Sequence, residues 1–163
     1  MESHIYLSPH PDDAALSCGG LIYDQTQRGE RALVVTFFVA SPPPRAYSPF
    51  AQGQHDKWNL ETDAMAHRRA EDMAALGILG AEPLYLDYLD CIYRLHPSTG
   101  AAMYDSEEGI FGQVDAAEAE LHLDLAGRVA EIAGVARRDL TLYAPLAVGH
   151  HVDHQLLKRA AVS

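Results

Sequence analysis

The stretch that decides the fold is SHIYLSPHPDDAAL, residues 3–16, which passes from an apolar segment through a polar turn into a helical pattern. Residues 3–7 carry the Ile, Tyr and Leu side chains that favour a short buried strand. Residues 8–13 combine two prolines with two aspartates, and these residue types favour turns and helix starts. The stretch therefore predicts a strand that enters a helix through a turn carrying one histidine and two carboxylates.

Outward from this stretch, apolar runs and helical patterns alternate along the chain. Three more segments predict buried strands: residues 32–39, 83–87 and 140–144. Helical patterns occupy residues 14–28, 59–79 and 115–136, and a further helix starts near Val152. Strands that alternate with helices predict right-handed crossovers and a mainly parallel sheet covered on both faces. The expected fold class is therefore α/β.

Two long segments break this alternation and are predicted to be loops. Residues 41–57 contain three consecutive prolines, which exclude a regular helix or a central strand, and residues 91–113 carry scattered Gly, Pro, Ser and Tyr. Loops of this length in a compact domain often face a substrate. The helix after the first loop is expected to begin with Asn59 as its N-cap. The first helix is expected to bury an apolar face made of Leu16, Leu21, Ile22 and Tyr23.

The composition limits the classes of protein and partner. The chain has 163 residues, 48% of them apolar and 21% charged, as expected of one globular domain. Its formal charge of −11 disfavours nucleic acid and an anionic membrane surface as partners. The longest nearly unbroken apolar run, residues 32–40, is about half as long as a membrane-spanning helix. The two cysteines, Cys18 and Cys91, suit a reducing compartment, which favours a cytoplasmic protein without a membrane anchor.

A second cluster of potential ligands, His150-His151-Val152-Asp153-His154, follows the fourth predicted strand just as the first cluster follows the first strand. In an open parallel sheet, ligands bind beyond the carboxyl ends of the strands, where the strand order reverses. A strand order of 3-2-1-4 would place the first and fourth strands side by side and bring both clusters to one crevice. The sequence therefore predicts a site at this edge of the sheet.

The residue types in the two clusters suit a divalent metal. Imidazole and carboxylate groups bind zinc, and three protein ligands with one open position are typical of a catalytic zinc site. His151 and His154 are spaced i, i+3, so one could bind the metal while the other reaches a substrate. Likewise, one carboxylate of Asp12 and Asp13 could ligate the metal while its neighbour accepts a proton. Each cluster taken alone is also compatible with an ordinary helix start.

Three motifs together resemble the LmbE-like (PIG-L) family of zinc-dependent N-deacetylases. They are SPHPDDAALSCGG at residues 8–20, Arg68-x-x-Glu71 followed by Leu79-Gly80, and His151-Val-Asp-His154. The similarity spans residues 5–154, and it implies a Rossmann-like three-layer fold with the metal site at the carboxyl ends of the first and fourth strands. It also implies hydrolysis of an N-acetyl group on an amino sugar or a related acylated amine, with one Zn²⁺ ion per chain.

The resemblance implies a catalytic role for five of the matching residues. The metal ligands would be His10, Asp13 and His154. Asp12 would be the general base, which takes a proton from the metal-bound water as that water attacks the amide. His151 would assist the oxyanion and the leaving amine.

The resemblance also implies supporting roles. Asp153 would orient His151, and Arg68 and Asp90 would contact the substrate. One departure from the family pattern is Ala14, which stands where many members have Glu. Because that Glu is not one of the metal ligands, the departure concerns substrate contacts more than zinc binding.

From these observations we expect a single domain over residues 1–163 that removes the N-acetyl group from a small acetylated amino sugar or glycoside. Relatives usually continue for several more elements, so a C-terminal part of the domain could be absent from this chain. Two alternatives remain open: a non-catalytic member of the fold that binds metal or a sugar, and a metal phosphoesterase with two metal ions about 4 Å apart. Association into a homo-oligomer is also left open.

Overall fold

A computed structural model describes residues 3–43, 47–58, 63–135 and 140–163. Within these segments, one sheet of parallel strands is formed by β1 (Ser3–Ser8), β2 (Arg31–Thr36), β3 (Glu82–Tyr85) and β4 (Leu140–Tyr143). The order in the sheet is β3-β2-β1-β4, and Ser3 of β1 lies opposite both Arg31 of β2 and Leu140 of β4. The predicted parallel sheet is confirmed, and so is the predicted pairing of the first and fourth strands.

Helices connect and follow these strands. They are α1 (Asp13–Gln27), α2 (Pro49–Lys57), α3 (Ala64–Leu79), α4 (Glu107–Ile110), α5 (Ala119–Val135) and α6 (Val152–Ala161). Two short 3-10 turns, Cys91–Tyr93 and Ala116–Glu118, lie between β3 and α5. None of the helices in the described segments is both long enough and apolar enough to cross a bilayer.

The alternation of side chains along β1 divides the core into two layers. Ile5 and Leu7 belong to the cluster on one face, which α5 and α6 cover with Leu125 and Leu156. Tyr6, between them, belongs to the cluster on the opposite face, which α1 and α3 cover. Successive residues of a buried strand point to opposite faces, so a single strand supports both helical layers. The result is the three-layer α/β architecture expected from the sequence.

Two helices differ from their predicted form. In α1, Ile22 is fully buried but Leu16 is 81% exposed, so this helix buries a narrower face than its apolar residues suggested. In the described segments, α3 begins at Ala64 with Asp63 as its N-cap, since the Asp63 side chain accepts the N–H of residue 66. The predicted start at Asn59 lies outside the described residues.

The two segments predicted to be loops both contain short helices. Within residues 41–57, α2 starts at Pro49 because Ser48 caps it by accepting the Ala51 N–H, and because proline fits the first helical turn. Residues 91–113 contain one 3-10 turn and α4. The two segments meet in an apolar cluster that adjoins the start of α6, made of Ala51, Met65, Cys91, Ile92, Tyr93, Tyr104, Ile110 and Val152.

Candidate active site

The turn after β1 is fixed by its own polar groups. Ser8 Oγ donates to the carbonyl oxygen of His10 (2.8 Å) and accepts the Ala14 N–H (3.2 Å), which joins the turn to the start of α1. The His10 N–H donates to Asp13 Oδ2 at 2.9 Å. The Asp13 carboxylate is therefore held beside His10 before any ligand binds.

The turn after β4 brings two histidines to the same edge of the sheet. His151 is the N-cap of α6, and His154 lies in its first turn. Nε2 of His154 lies 3.2 Å from Asp13 Oδ2, and Nδ1 of His10 lies 3.4 Å from the same oxygen. His10 and His154, which are far apart in the sequence, thus lie on either side of one oxygen of Asp13, the third predicted ligand.

This donor set fits a divalent metal ion. In a tetrahedral zinc site with bonds of about 2.1 Å, neighbouring ligand atoms are about 3.4 Å apart. The two separations measured around Asp13 Oδ2 are close to that value. His10, His151 and His154 also offer ligand atoms that all lie within 4.8 Å of one another. The positions therefore allow either histidine at the start of α6 to bind an ion together with His10.

His10 is surrounded by negative charge. Its Nε2 lies 2.9 Å from Asp153 Oδ2 and 3.6 Å from Asp90 Oδ2, and all three side chains are buried. Burial alone would lower the pKa of His10, but the carboxylates of Asp90, Asp13 and Asp153 outweigh it and raise the pKa to about 10. This excess of buried carboxylates favours a cation. Because Nε2 is engaged by Asp153, Nδ1 is the nitrogen of His10 that can bind metal.

Asp153 connects the site to an interior ion-pair network that sequence analysis missed. Its fully buried carboxylate accepts the Cys91 N–H (3.0 Å) and lies 2.6 Å from Arg94 Nη2. Arg94 Nε in turn lies 2.5 Å from Glu118 Oε1. Burial would raise the pKa of Asp153, but Arg94 and the nearby imidazoles hold it below its usual range. The only sequence signal for Arg94 was a lone arginine inside the apolar run of residues 91–95.

The placement of Asp153 differs from the expectation that this residue orients His151. The Asp153 carboxylate contacts His10, and it is the Asp153 backbone N–H that contacts His151 Nδ1, at 3.3 Å. A carboxylate on one ring nitrogen of a metal-binding histidine fixes its tautomer and orientation. The side chain of Asp153 is therefore placed to orient His10.

His151 is held as a neutral imidazole. Burial, together with the positive charge of His10, lowers the pKa of His151 to about 4. Because Nδ1 accepts the Asp153 N–H, the ring proton lies on Nε2. Nε2, which is 3.8 Å from Cys91 Sγ, is thus a hydrogen-bond donor beside the metal ligands.

Asp12 is adjacent to Asp13 but is much more exposed. The side chain of Asp12 is 59% exposed, against 27% for Asp13. Partial burial raises the pKa of Asp12, and Arg68 partly offsets this effect. Arg68 Nη2 lies 3.9 Å from Asp12 Oδ2, and the Arg68 guanidinium lies 4.8 Å from the centroid of the Trp58 ring. Asp12 therefore lies on the exposed side of the site, with the mostly covered Arg68 guanidinium beside it.

Asp90, the second residue expected to contact substrate, occupies an interior position. It is 5% exposed, its Oδ1 accepts the Ile92 N–H (3.2 Å), and its Oδ2 faces His10. Of the two predicted substrate contacts, Arg68 thus lies beside Asp12, whereas Asp90 lies behind His10.

A cavity of about 120 Å³ opens beside Asp13 and His154, between α1 and β4. Most of its lining is apolar and includes Ala14, Tyr143 and Pro145. Ala14, where the chain departs from the pattern of the family it resembles, therefore faces this cavity.

Comparison with known proteins assigns the chain to a family. The family described as PIG-L, GlcNAc-PI de-N-acetylase, matches residues 5–163. The chain belongs to the PIG-L family. This membership confirms the resemblance carried by the motifs at the ends of β1 and β4, and it covers every residue of the candidate site.

Individual members of the PIG-L family are similar over almost the whole chain. The 2'-N-acetylparomamine deacetylase of Niallia circulans is 28% identical over 97% of this chain and 60% of its own length. The enzyme of the same name from Streptomyces fradiae is 32% identical over 96% of this chain and 50% of its own length. The solved structure of the zinc-inhibited form of teicoplanin deacetylase Orf2 is 34% identical, with a TM-score of 0.78, over 98% of this chain and 62% of that one. The chain thus spans between half and two thirds of the length of these relatives.

Proposed function

We propose that this PIG-L family member is a zinc-dependent N-deacetylase of acetylated amino sugars. The observation that carries the proposal is the position of the His10 and His154 imidazoles on either side of one Asp13 carboxylate oxygen. The exposed Asp12 carboxylate belongs to the neighbouring residue. Three nitrogen and oxygen donors beside a free carboxylate suit an enzyme that activates water for hydrolysis.

His10, Asp13 and His154 would hold the zinc ion. When bound, the ion would supply Lewis acidity toward an amide carbonyl and toward water. His10 would bind through Nδ1, since Asp153 engages its Nε2. Asp13 would bind through the oxygen that already lies between the two imidazoles.

Asp12 would act as the general base, and His151 as a hydrogen-bond donor. Water adds to the carbonyl carbon of the amide while Asp12 takes a proton from it. Asp12 then returns this proton to the nitrogen as the C–N bond breaks, so that a free amine leaves, and the other product leaves as acetate after losing the remaining water proton. As negative charge develops on the carbonyl oxygen, the Nε2–H of His151 would stabilise it, a contribution of about 3 to 4 kcal/mol for a well-placed donor.

The proposed substrate is a neutral or cationic acetylated amino sugar, or a small glycoside of one. The formal charge of −11 favours a cationic ligand over an anionic one. Further support comes from the names of the two relatives, which give 2'-N-acetylparomamine as the compound that is deacetylated. Arg68, beside Asp12, is the group that could accommodate an anionic substituent locally.

Acetate release by zinc-loaded protein tests the proposal. The substrates are 2'-N-acetylparomamine, glycosides of N-acetylglucosamine, short acetylated polyamines and N-acetylated sugar phosphates. We expect neutral and cationic amino sugars to react fastest, and Asp12→Asn to lower kcat by about 100-fold or more while zinc still binds.

Three outcomes would contradict parts of the proposal. Undiminished acetate release by Asp12→Asn would show that Asp12 is not the base. A preference for sugar phosphates of more than about tenfold, lost in Arg68→Ala, would overturn the substrate class. Stoichiometric zinc binding without acetate release from any of the amines would favour the non-catalytic alternative.

A further inference from the structure

Helix α3 holds the peptide bond between Pro11 and Asp12 at both of its polar ends. The Asp12 N–H donates to Asp72 Oδ1 at 2.9 Å, and the Pro11 carbonyl oxygen accepts from Arg68 Nη2 at 3.3 Å. Arg68 and Asp72 are spaced i, i+4, so they lie on the same face of α3. Two side chains of α3 therefore fix the peptide unit that leads into Asp12.

Asp72 is itself anchored in the interior. Its side chain is 2% exposed, and its Oδ2 accepts the hydroxyl of Tyr85 at the end of β3 (3.0 Å). A buried carboxylate is stable only while its donors remain in place, because it cannot exchange them for water. Asp72 therefore ties the turn to the sheet as well as to α3.

The backbone of Asp12 needs this support. Its φ of +81° and ψ of −25° place it in the left-handed region, which has a steric cost for a residue with a Cβ atom. An aspartate at the N-cap of a helix usually holds itself by accepting a backbone N–H, but the Asp12 side chain makes no capping hydrogen bond. Its carboxylate makes no hydrogen bond to the helix, and the hydrogen bond from the Asp12 N–H to Asp72 holds the main chain instead.

We propose that Asp72 is a positioning residue of the deacetylation reaction, which fixes the main chain of Asp12 so that the Asp12 carboxylate faces the crevice. This inference rests on the proposed function, in which Asp12 is the general base. Asp72 does not touch the reacting atoms, because it lies behind the turn and is almost completely buried.

Two variants of Asp72 test the role. Asp72→Ala removes the acceptor, and we expect kcat to fall by about 10- to 100-fold with little change in KM, because a small misplacement of a catalytic group has an effect of that size. Asp72→Asn keeps an oxygen for the Asp12 N–H. The amide N–H of the asparagine can donate to the Tyr85 hydroxyl. That hydroxyl can then donate its own proton to the Arg69 carbonyl oxygen, which lies 3.4 Å away. We expect this variant to keep kcat within about threefold of the parent protein.

Glu71→Ala is the matched control. It removes an exposed carboxylate from the neighbouring position of α3, with the same change in net charge, and we expect it to leave kcat unchanged.

Competition with a chromophoric chelator measures zinc affinity separately, and kcat is expressed per bound zinc. We expect zinc affinity in Asp72→Ala to stay within about threefold, because the His10 N–H still holds the Asp13 carboxylate. If Asp72→Ala does not fold, Asp72→Ser, which keeps a shorter polar group for Tyr85, replaces it with the same expectations.

A double-mutant cycle with Asp12→Asn tests whether Asp72 acts through Asp12. If Asp72 acts through Asp12, adding Asp72→Ala to Asp12→Asn will lower kcat no further. Fully additive losses would overturn the positioning role, and so would an Asp72→Asn variant as inactive as Asp72→Ala. An Asp12→Asn variant with undiminished activity would instead overturn the proposed function, so the two failures are distinguishable.

Discussion

Replacing Arg94 with methionine would remove the cation that neutralises two buried carboxylates. Arg94 lies 2.6 Å from Asp153 and 2.5 Å from Glu118, and these three side chains are 10%, 0% and 3% exposed. Water cannot screen charges at such burial, and removing one partner of a buried ion pair costs about 3 to 5 kcal/mol. For a domain of this size, we expect Tm to fall by about 6 to 20 °C.

Thermal and urea unfolding of the metal-free protein, followed by circular dichroism, measures this loss. Arg31→Met is the matched control, because it breaks an exposed ion pair with Glu82 (3.1 Å) and should change the free energy of unfolding far less. Adding Glu118→Gln to Arg94→Met should destabilise the protein by less than the sum of the two single changes, because it removes one of the unpaired charges. A loss below about 1 kcal/mol in Arg94→Met would refute the reasoning, since it would mean that the carboxylates do not depend on Arg94.

Three other predictions concern the metal. His154→Ala should lower zinc affinity by about 100-fold or more, whereas His151→Ala should mainly lower kcat; equal effects of both changes on affinity would contradict the two assigned roles. Asp153→Asn removes the carboxylate from His10 Nε2 and should lower zinc affinity by about 10- to 100-fold in a chelator competition; unchanged affinity would show that this contact does not tune the metal. Treatment with a chelator should abolish acetate release, and zinc at about 100 times its Kd should restore it and stabilise the fold by about 2.7 kcal/mol; a Tm that does not respond to zinc would argue against the site.

The features that were predictable from the sequence depend on local patterns and on one topological rule. Ile5 and Leu7 mark β1 as a buried strand, and the alternation of strands with helices restricts the sheet to a few strand orders. Once β1 and β4 are neighbours, the turns that follow them must meet. The contact between Asp13 and His154 was therefore predictable without any knowledge of side-chain packing.

The features that were not predictable depend on packing between distant segments. Leu16 has the apolar character of a core residue, yet no element of the described structure covers it, and it is 81% exposed. The carboxylate of Asp153 turns to His10 because Arg94 and the Cys91 N–H hold it there, and neither partner is close in sequence. The contact of Asp72 with the turn was likewise not predictable, because the sequence does not show that the backbone at Asp12 is left-handed or that its N–H donates to Asp72.

The position of the ligands in the chain has a consequence for folding as well as for chemistry. His10 and Asp13 lie in the turn after β1 and His154 lies in α6, so an ion bound to all of them would close the chain between residues 13 and 154 into one loop. The entropy of loop closure grows with loop length, so such an ion restrains the unfolded chain more than a local metal site would. Loss of such an ion would then loosen the contact between the turns after β1 and β4 first and make the protein more sensitive to proteases.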